Sequence, residues 1–264
     1  MRLMRQARAP MAILGVLVAL ALGACLSTPR GSTAPSLQVA AAADLRPALT
    51  EIAQAFEARA GTKVVLSFGS TGQLTQQIEN GAPFDVFLAA NEAFIERLRQ
   101  NGHTLAGTER RYARGRLVLV SAPQRGRPLE DLAALGAPAI RYVAIANPEH
   151  APYGQAAREA LEAQGLWESL RPKLVYGENI QQAMQYVQSG QADAGLVALA
   201  LALPSDLPWT LVPQELHQPL DQALAVLRRT HQEAAARAFA DFVLGPEAQA
   251  ILERYGFESP GGTP

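Results

Sequence analysis

Short apolar runs alternate along the chain with stretches whose apolar residues recur every three or four positions. The second kind of pattern is clear at Leu45, Leu49, Ile52 and Phe56, and it predicts an amphipathic helix. The apolar runs are short and rich in Val, Ala, Leu and Ile, which is typical of buried strands. They occupy residues 36–43, 63–68, 84–90, 116–121, 142–147, 173–179, 193–201 and 222–229.

This alternation favours an α/β fold in which mainly parallel sheets are flanked by helices. Eight strands are too many for one small sheet, and the sequence shows no repeat of fixed period that would favour a solenoid or a barrel. We therefore expect two lobes with a ligand cleft between them, joined by crossover strands near 116–121 and 222–229. The predicted divisions are 37–118 with 223–258 for lobe I, 119–222 for lobe II and 259–264 for a tail.

The first 24 residues have the pattern of a signal peptide. Arg2, Arg5 and Arg8 precede an apolar run from 11 to 24, which at roughly 14 residues is too short to span a membrane as a mature helix. The run ends in "LGAC", which resembles a bacterial lipobox, so we expect Cys25 to be lipidated after cleavage. The alternative is an ordinary signal peptide cleaved near Ala24.

Residues 25–36 form a segment rich in Ser, Thr, Pro and Gly, and this composition predicts a flexible tether. A lipidated Cys25 followed by a tether would hold the folded part at the outer face of the cell membrane, whereas simple secretion would leave it free in the periplasm. Either outcome places the protein outside the cytoplasm.

Charge and histidine spacing narrow the class of ligand. The formal net charge is −1, and removal of residues 1–24 takes away three arginines and no acid, leaving about −4. That balance argues against a nucleic-acid partner, which would need a basic surface. The four histidines lie far apart at positions 103, 150, 217 and 231, a spacing that does not favour a metal site.

Four predicted strand-to-helix turns share one chemistry. They lie at 43–45, 69–72, 152–154 and 179–181, where the carboxyl end of a strand meets the start of a helix. Ligands of open α/β sheets bind at such ends, and helix N-termini offer free N–H groups and a positive dipole end. Converging across a cleft, the four turns would surround a small oxyanion with uncharged donors. The alanines at 40–43 and the glycines at 69, 72 and 154 would let the backbone approach that ligand.

Several phrases in the chain resemble those of the molybdate-binding proteins of bacterial molybdate ABC transporters. They are "VAAAADL", "SFGSTGQLTQQIENGAPFDVFLAA", "ANPEHAPYG", "ENIQQAM", "ADAGLVALA" and "GPEAQAILERYGF", which together span about 37–258. The resemblance implies a type II periplasmic-binding-protein fold and a receptor that hands molybdate or tungstate to a membrane permease. It also implies a monomer that is not an enzyme and needs no cofactor.

The resemblance also assigns roles by position. In that family, hydroxyl and main-chain N–H groups hold a tetrahedral oxyanion without a counter-cation. Ser70 and Thr71 match the hydroxyl-bearing turn, Tyr153 matches a main-chain and phenol donor, and Ile180 matches a main-chain donor. From the residues themselves, Ser70 is expected to cap its helix, with Gln73 completing a capping box.

Asp44 departs from the family pattern, which has Ser or Asn in the first turn. A carboxylate within about 4 Å of a dianion would repel it by several kcal/mol at a protein-like dielectric. We therefore expect Asp44 to turn away and cap the helix through the N–H of Arg46, leaving the N–H groups of Ala43, Asp44 or Leu45 for the ligand. The alternatives are a different ligand, or a protonated oxyanion whose hydrogen Asp44 accepts.

A second departure is Ala198, where some members of the family carry a ligand-binding tyrosine; Tyr153 could supply the phenol instead. A receptor for another small anion is an alternative within the same class. A secreted hydrolase with Asp44, His150 and Ser70 as a triad is an alternative from another class, although "FGSTGQ" lacks the spacing of a nucleophile elbow. We expect His150 to be a loop residue that braces Tyr153.

Overall fold

The computed structural model describes residues 36–260. The predicted signal peptide 1–24, Cys25 and nearly all of the tether 25–36 lie outside the described residues, as do residues 261–264 of the tail. The strands are β1 Leu37–Ala42, β2 Val64–Gly69, β3 Val86–Ala89, β4 Arg110–Gly115, β5 Leu117–Ser121, β6 Val143–Ala146, β7 Leu174–Gly177, β8 Ala194–Ala198, β9 Trp209–Leu211 and β10 Leu220–Val226. The α-helices are α1 Arg46–Ala60, α2 Thr71–Glu79, α3 Glu92–Gln100, α4 Pro152–Ala163, α5 Trp167–Leu170, α6 Ile180–Gln188, α7 Leu199–Ala202, α8 Glu233–Leu244 and α9 Pro246–Arg254.

These strands form two five-stranded sheets. The first has the order β2-β1-β3-β10-β4, with β1 parallel to β2 and β3 and with β10 antiparallel to β3 and β4. The second has the order β7-β6-β8-β5-β9, with β6 parallel to β7 and β8 and with β5 antiparallel to β8 and β9. The predicted two-lobed α/β fold is confirmed.

The chain passes between the two sheets twice. It leaves the first sheet after β4 and enters the second at β5, and it returns to the first sheet between β9 and β10. Each sheet thus receives one antiparallel strand directly from a crossover. The predicted lobe boundaries fall inside β5 and β10 and stay a prediction.

Two strands were missed by the sequence pattern. β4 carries Arg110, Arg111 and Arg114 and has no apolar run that would predict a strand. It joins the sheet by antiparallel pairing with β10. β9 has three residues, which is too short for an alternating pattern to show.

The alanines of β1 are explained by burial on both faces. Val39 and Ala41 pack in a cluster with Ile52 of α1, whereas Ala40 packs in a separate cluster with Leu74 and Phe87 on the other side of the sheet. A strand covered by helices on both faces has no polar alternation. Small side chains in it let the helices pack closely on the sheet.

Among residues 36–260, no helix combines the length and the apolar character needed to cross a membrane.

Candidate ligand-binding site

A small cavity lies where four helix starts from the two lobes meet. All six candidate ligand residues line it: Ala43, Asp44, Ser70, Thr71, Tyr153 and Ile180. The cavity has a volume of about 10 Å³ and is completed by Ala42, Gly69, Ala90, Ala151 and Pro152. The structure thus brings together residues that are far apart in the chain, while their contacts with a ligand stay a prediction.

Ser70 caps α2 as expected. Its Oγ accepts the N–H of Gln73 at 3.4 Å. The return half of the capping box is absent, because the Gln73 side chain donates from Nε2 to Glu178 Oε2 at 2.8 Å instead. The Ser70 hydroxyl also lies 2.8 Å from His150 Nδ1, so its oxygen takes part in both the helix cap and a contact with the second lobe.

The Thr71 hydroxyl has one hydrogen left for a ligand. Its Oγ1 accepts the N–H of Ala90 at 3.1 Å, and this bond connects the start of α2 to the end of β3. A hydroxyl donates one hydrogen and accepts up to two. Because the acceptor side already serves Ala90, the donor side of Thr71 is available to the cavity.

Two helix starts from the second lobe supply main-chain N–H groups. In α6, Asn179 caps the helix by accepting the N–H of Gln182 at 3.1 Å, while the N–H of Ile180 is one of the first-turn groups that have no partner within the helix. In α4, Pro152 is the first residue and has no N–H, so Tyr153 offers the first donor of that helix.

His150 joins the two lobes beside the cavity. Its Nδ1 lies 2.8 Å from Ser70 Oγ, and its carbonyl accepts the N–H of Gly72 at 2.8 Å. The expected role of His150 as a brace for Tyr153 is therefore replaced by contacts with the opposite lobe. Gly72 is needed for this contact, since a Cβ there would lie 2.7 Å from the His150 carbonyl oxygen. The sequence predicted that Gly72 would let the backbone approach a ligand. In the structure, the backbone of the second lobe, at His150, makes this close approach to Gly72.

Asp44 does not cap α1, so the predicted hydrogen bond to the N–H of Arg46 is wrong. Residues 43–45 form a short 3-10 turn, and the N–H of Arg46 already bonds to the carbonyl of Ala43. The helix then starts beyond Asp44, without a side-chain cap. The Asp44 carboxylate instead accepts a hydrogen bond through Oδ2 from Gln222 Nε2 at 2.5 Å.

Gln222 and Tyr112 are site residues that the sequence interpretation missed. The Tyr112 hydroxyl donates to Gln222 Oε1 at 2.6 Å, which orients the amide so that Nε2 faces Asp44 and, at 3.4 Å, the Tyr153 hydroxyl. The register between β4 and β10 shifts next to Gln222, with Tyr112 left out of the pairing. Such a bulge redirects side chains. A lone polar residue opening the apolar run 222–229 was the available signal for Gln222.

The Asp44 carboxyl is fully buried, with 0% of its surface exposed. Burial raises its pKa from 3.8 to about 6, although hydrogen bonds from Gln222 and Tyr153 act in the opposite direction. Its Oδ1 has no hydrogen-bond partner among residues 36–260. Burial, together with the nearby Asp44 carboxylate, raises the pKa of Tyr112 and of Tyr153 well above the usual value, so both phenols stay neutral.

The cavity lining contains no Lys or Arg, which agrees with binding by uncharged donors. Within the described part of the chain, no cluster of three or more His, Cys, Asp or Glu side chains could hold a metal cation. A larger cavity of about 250 Å³ lies beside β5 and β9, but its charged residues are the acids Glu130 and Asp131. That cavity is unsuited to an anion.

The triad of a hydrolase is not formed. Ser70 and His150 are in contact, but the acid of the supposed triad, Asp44, bonds to Gln222 rather than to the imidazole. The Ser70 oxygen is also used as a helix cap. The geometry therefore lacks the acid that would orient the base.

Two α/β lobes that meet over a pocket of helix N-termini define the class of solute receptors. Residues 37–258 match the family model of the bacterial extracellular solute-binding proteins, and the chain belongs to this family. The protein is therefore located outside the cytoplasm, and its function is solute binding rather than catalysis.

Comparison with individual proteins is more specific than the match to the family model. The chain is 41% identical over 242 residues to the molybdate-binding protein ModA of Azotobacter vinelandii, covering 90% of this chain and 95% of that protein. It is 38% identical to ModA of Rhodobacter capsulatus, covering 90% and 94%. The solved structure of the Azotobacter vinelandii periplasmic molybdate-binding protein superposes with a TM-score of 0.80 at 33% identity, covering 85% of this chain and 100% of that one.

Proposed function

We propose that this protein captures molybdate or tungstate outside the cytoplasm and delivers it to the permease of an ABC importer. The observation that carries the proposal is the convergence of Ala43, Ser70, Thr71, Tyr153 and Ile180 on one cation-free cavity between the lobes. The similarity to ModA proteins over most of the chain supports this choice of ligand.

The donors suit a tetrahedral oxyanion. Thr71 offers a hydroxyl hydrogen, and Ser70 offers one in the His150 tautomer whose Nδ1–H donates to Ser70 Oγ. The first turns of α4 and α6 offer main-chain N–H groups at the positive ends of helix dipoles. These donors come from two lobes and thus surround the anion from opposite sides. Uncharged donors at set positions select by size, which separates sulfate from the larger molybdate and tungstate.

Lobe closure is the proposed mechanism of capture. The cavity has room for about one water-sized group, so a four-oxygen anion enters only if the lobes separate. The two crossovers, β4 to β5 and β9 to β10, are the connections about which the lobes would hinge. The contacts of His150 with Ser70 and of Gln73 with Glu178 would break on opening.

The proposal includes attachment and assembly. Lipidation of Cys25 would tether the receptor to the outer face of the membrane, next to the permease, and the lipobox-like "LGAC" supports it. We propose that the receptor acts as a monomer, since both halves of the cavity come from one chain.

Calorimetric titration tests the proposal. The purified protein is titrated with molybdate, tungstate, sulfate and phosphate under identical conditions. We expect tight binding of the first two anions and little binding of the others. Sulfate affinity equal to that of molybdate would contradict the assigned ligand.

A further inference from the structure

Asp44 is the one ionisable carboxyl in the lining of the proposed oxyanion cavity. Its two oxygens differ. Oδ2 accepts from Gln222 Nε2 at 2.5 Å, whereas Oδ1 has no hydrogen-bond partner among the described residues. The side chain is fully buried. A buried carboxyl oxygen without a donor is costly to keep ionised. Hydrogen bonding from Gln222, Tyr153 and the main chain of Asp44 and Leu45 lowers the pKa of this carboxyl less than burial raises it, so Oδ1 can take up a hydrogen.

The groups that face Asp44 carry no positive charge. Tyr112 of β4 and Tyr153 of α4 are the titratable groups that face it, and burial keeps both neutral. Helix α7 has no ionisable side chain, and α6 has only Tyr186. On β10, Asp221 is engaged by Arg114 at 2.6 Å.

Two further groups lie near but do not face Asp44. Arg46, at the start of α1, is exposed and lies over the ring of Phe68, with its Cζ 4.4 Å from the ring centroid. His150 contacts Ser70, which shares the cavity lining with Asp44. An ionised Asp44 would therefore meet a bound dianion with no cation between them.

We propose that Asp44 takes up one proton from solvent when the oxyanion binds, and that this proton lies between Asp44 Oδ1 and a ligand oxygen. The inference rests on the proposed function. Gln222 already donates to Oδ2, so the proton goes to Oδ1, the oxygen left without a donor. Tyr112 holds the Gln222 amide in that orientation. The protonated acid then acts as one more uncharged donor, consistent with the rest of the cavity.

The elevated pKa of Asp44 supports this assignment, because burial has already raised it to about 6 in the absence of ligand. A dianion next to the carboxyl raises that pKa further, since it disfavours the ionised form. Binding is therefore linked to protonation. Affinity stays constant below the pKa of the free protein and falls by up to about tenfold for each pH unit above it.

The test is calorimetry of molybdate binding from about pH 6 to pH 9, repeated at the alkaline end in buffers of different ionisation enthalpy. The expected result for the natural protein is uptake of about one proton for each molybdate bound, with a dissociation constant that rises with pH. In Asp44→Asn, the amide oxygen can accept from Gln222 while the amide nitrogen replaces the protonated Oδ1. This variant should bind without proton uptake, at all pH values as tightly as the natural protein does near pH 6.

A matched variant separates Asp44 from the neighbouring imidazole. His150→Gln removes the imidazole that contacts Ser70 beside the cavity, and proton uptake should persist in it. Proton uptake that disappears in His150→Gln, or pH-independent binding by the natural protein, overturns the inference. So does an Asp44→Asn protein that is folded by circular dichroism and binds no molybdate. Absence of molybdate binding by the natural protein at every pH would instead contradict the proposed function.

Discussion

Ser70 Oγ and His150 Nδ1 lie 2.8 Å apart, although the two residues are separated by 80 positions in the chain. Ser70 caps a helix of the first lobe, and His150 precedes a helix of the second. The contact closes the cleft directly beside the proposed ligand. The orientation of the Ser70 hydroxyl hydrogen therefore depends on which imidazole nitrogen carries a proton.

Ser70→Ala should weaken molybdate binding and destabilise the protein. Loss of a donor to a charged group costs about 1–3 kcal/mol, and loss of the cap on α2 costs about 1 kcal/mol of unfolding free energy. Calorimetry and urea denaturation measure the two effects. Ser189→Ala, at an exposed helix end, is the control and should change neither. Unchanged affinity in Ser70→Ala would exclude Ser70 from the site.

Gly72→Ala should keep the cleft from closing. The added Cβ would lie 2.7 Å from the His150 carbonyl oxygen, so the lobes would have to stay apart. Because the clash exists only when the cleft is closed, molybdate affinity should fall at least about tenfold, or 1.4 kcal/mol, with little loss of stability in the free protein. Gly136→Ala is the matched control, since a Cβ there meets no atom within 4 Å. Wild-type affinity in Gly72→Ala would contradict a close lobe contact at this position.

Asp44→Asn should stabilise the ligand-free protein at alkaline pH. Folding raises the Asp44 pKa from 3.8 to about 6, so the folded state favours the protonated acid. The cost of burying the carboxyl is absent below the unfolded pKa and complete above the folded one, where it reaches about 3 kcal/mol. Urea denaturation at about pH 3 and at about pH 8, on either side of that interval, should show no gain and the full gain respectively. An equal gain at both would contradict the raised pKa.

Gln222→Leu should destabilise the first lobe. The substitution removes the donor to Asp44 Oδ2 and leaves the Tyr112 hydroxyl with the longer contact to the Ala89 carbonyl at 3.4 Å. A buried polar group left unpaired costs about 1–3 kcal/mol. Tyr112→Phe is the milder comparison, since it removes one hydroxyl and should cost about 1 kcal/mol. Thermal denaturation ranks the two variants. A Tyr112→Phe protein less stable than Gln222→Leu would show that the amide does not organise the cluster.

The turns of the site could be predicted from the chain because their determinants are local. A short apolar run indicates a buried strand. Ser70 and Asn179 mark helix starts, because the side chain of each accepts the N–H of the residue three positions later. The position of such turns at the carboxyl ends of parallel strands follows from the α/β pattern alone. The four turns that line the cavity were therefore identifiable before their distances were known, whereas the resemblance to a known family assigned roles to residues within them.

The partner of Asp44 was decided by tertiary structure. A local rule assigned the carboxylate to the N–H of Arg46, whereas the fold gives that N–H to Ala43 and places Gln222, 178 residues away, against the acid. The bulge beside Gln222 depends on how two distant strands pair.

The sequence by itself thus determined the α/β alternation, the two lobes and the helix starts that form the cavity, because periodicity and capping depend on residues a few positions apart. Only the tertiary structure decided the bond from Gln222 to Asp44, the contact of His150 with Ser70 and the elevated pKa. Each of these depends on which groups share a buried space after the chain has crossed twice between its sheets. Burial and long-range pairing depend on neighbours that are distant in the chain, and a local sequence pattern cannot identify those neighbours.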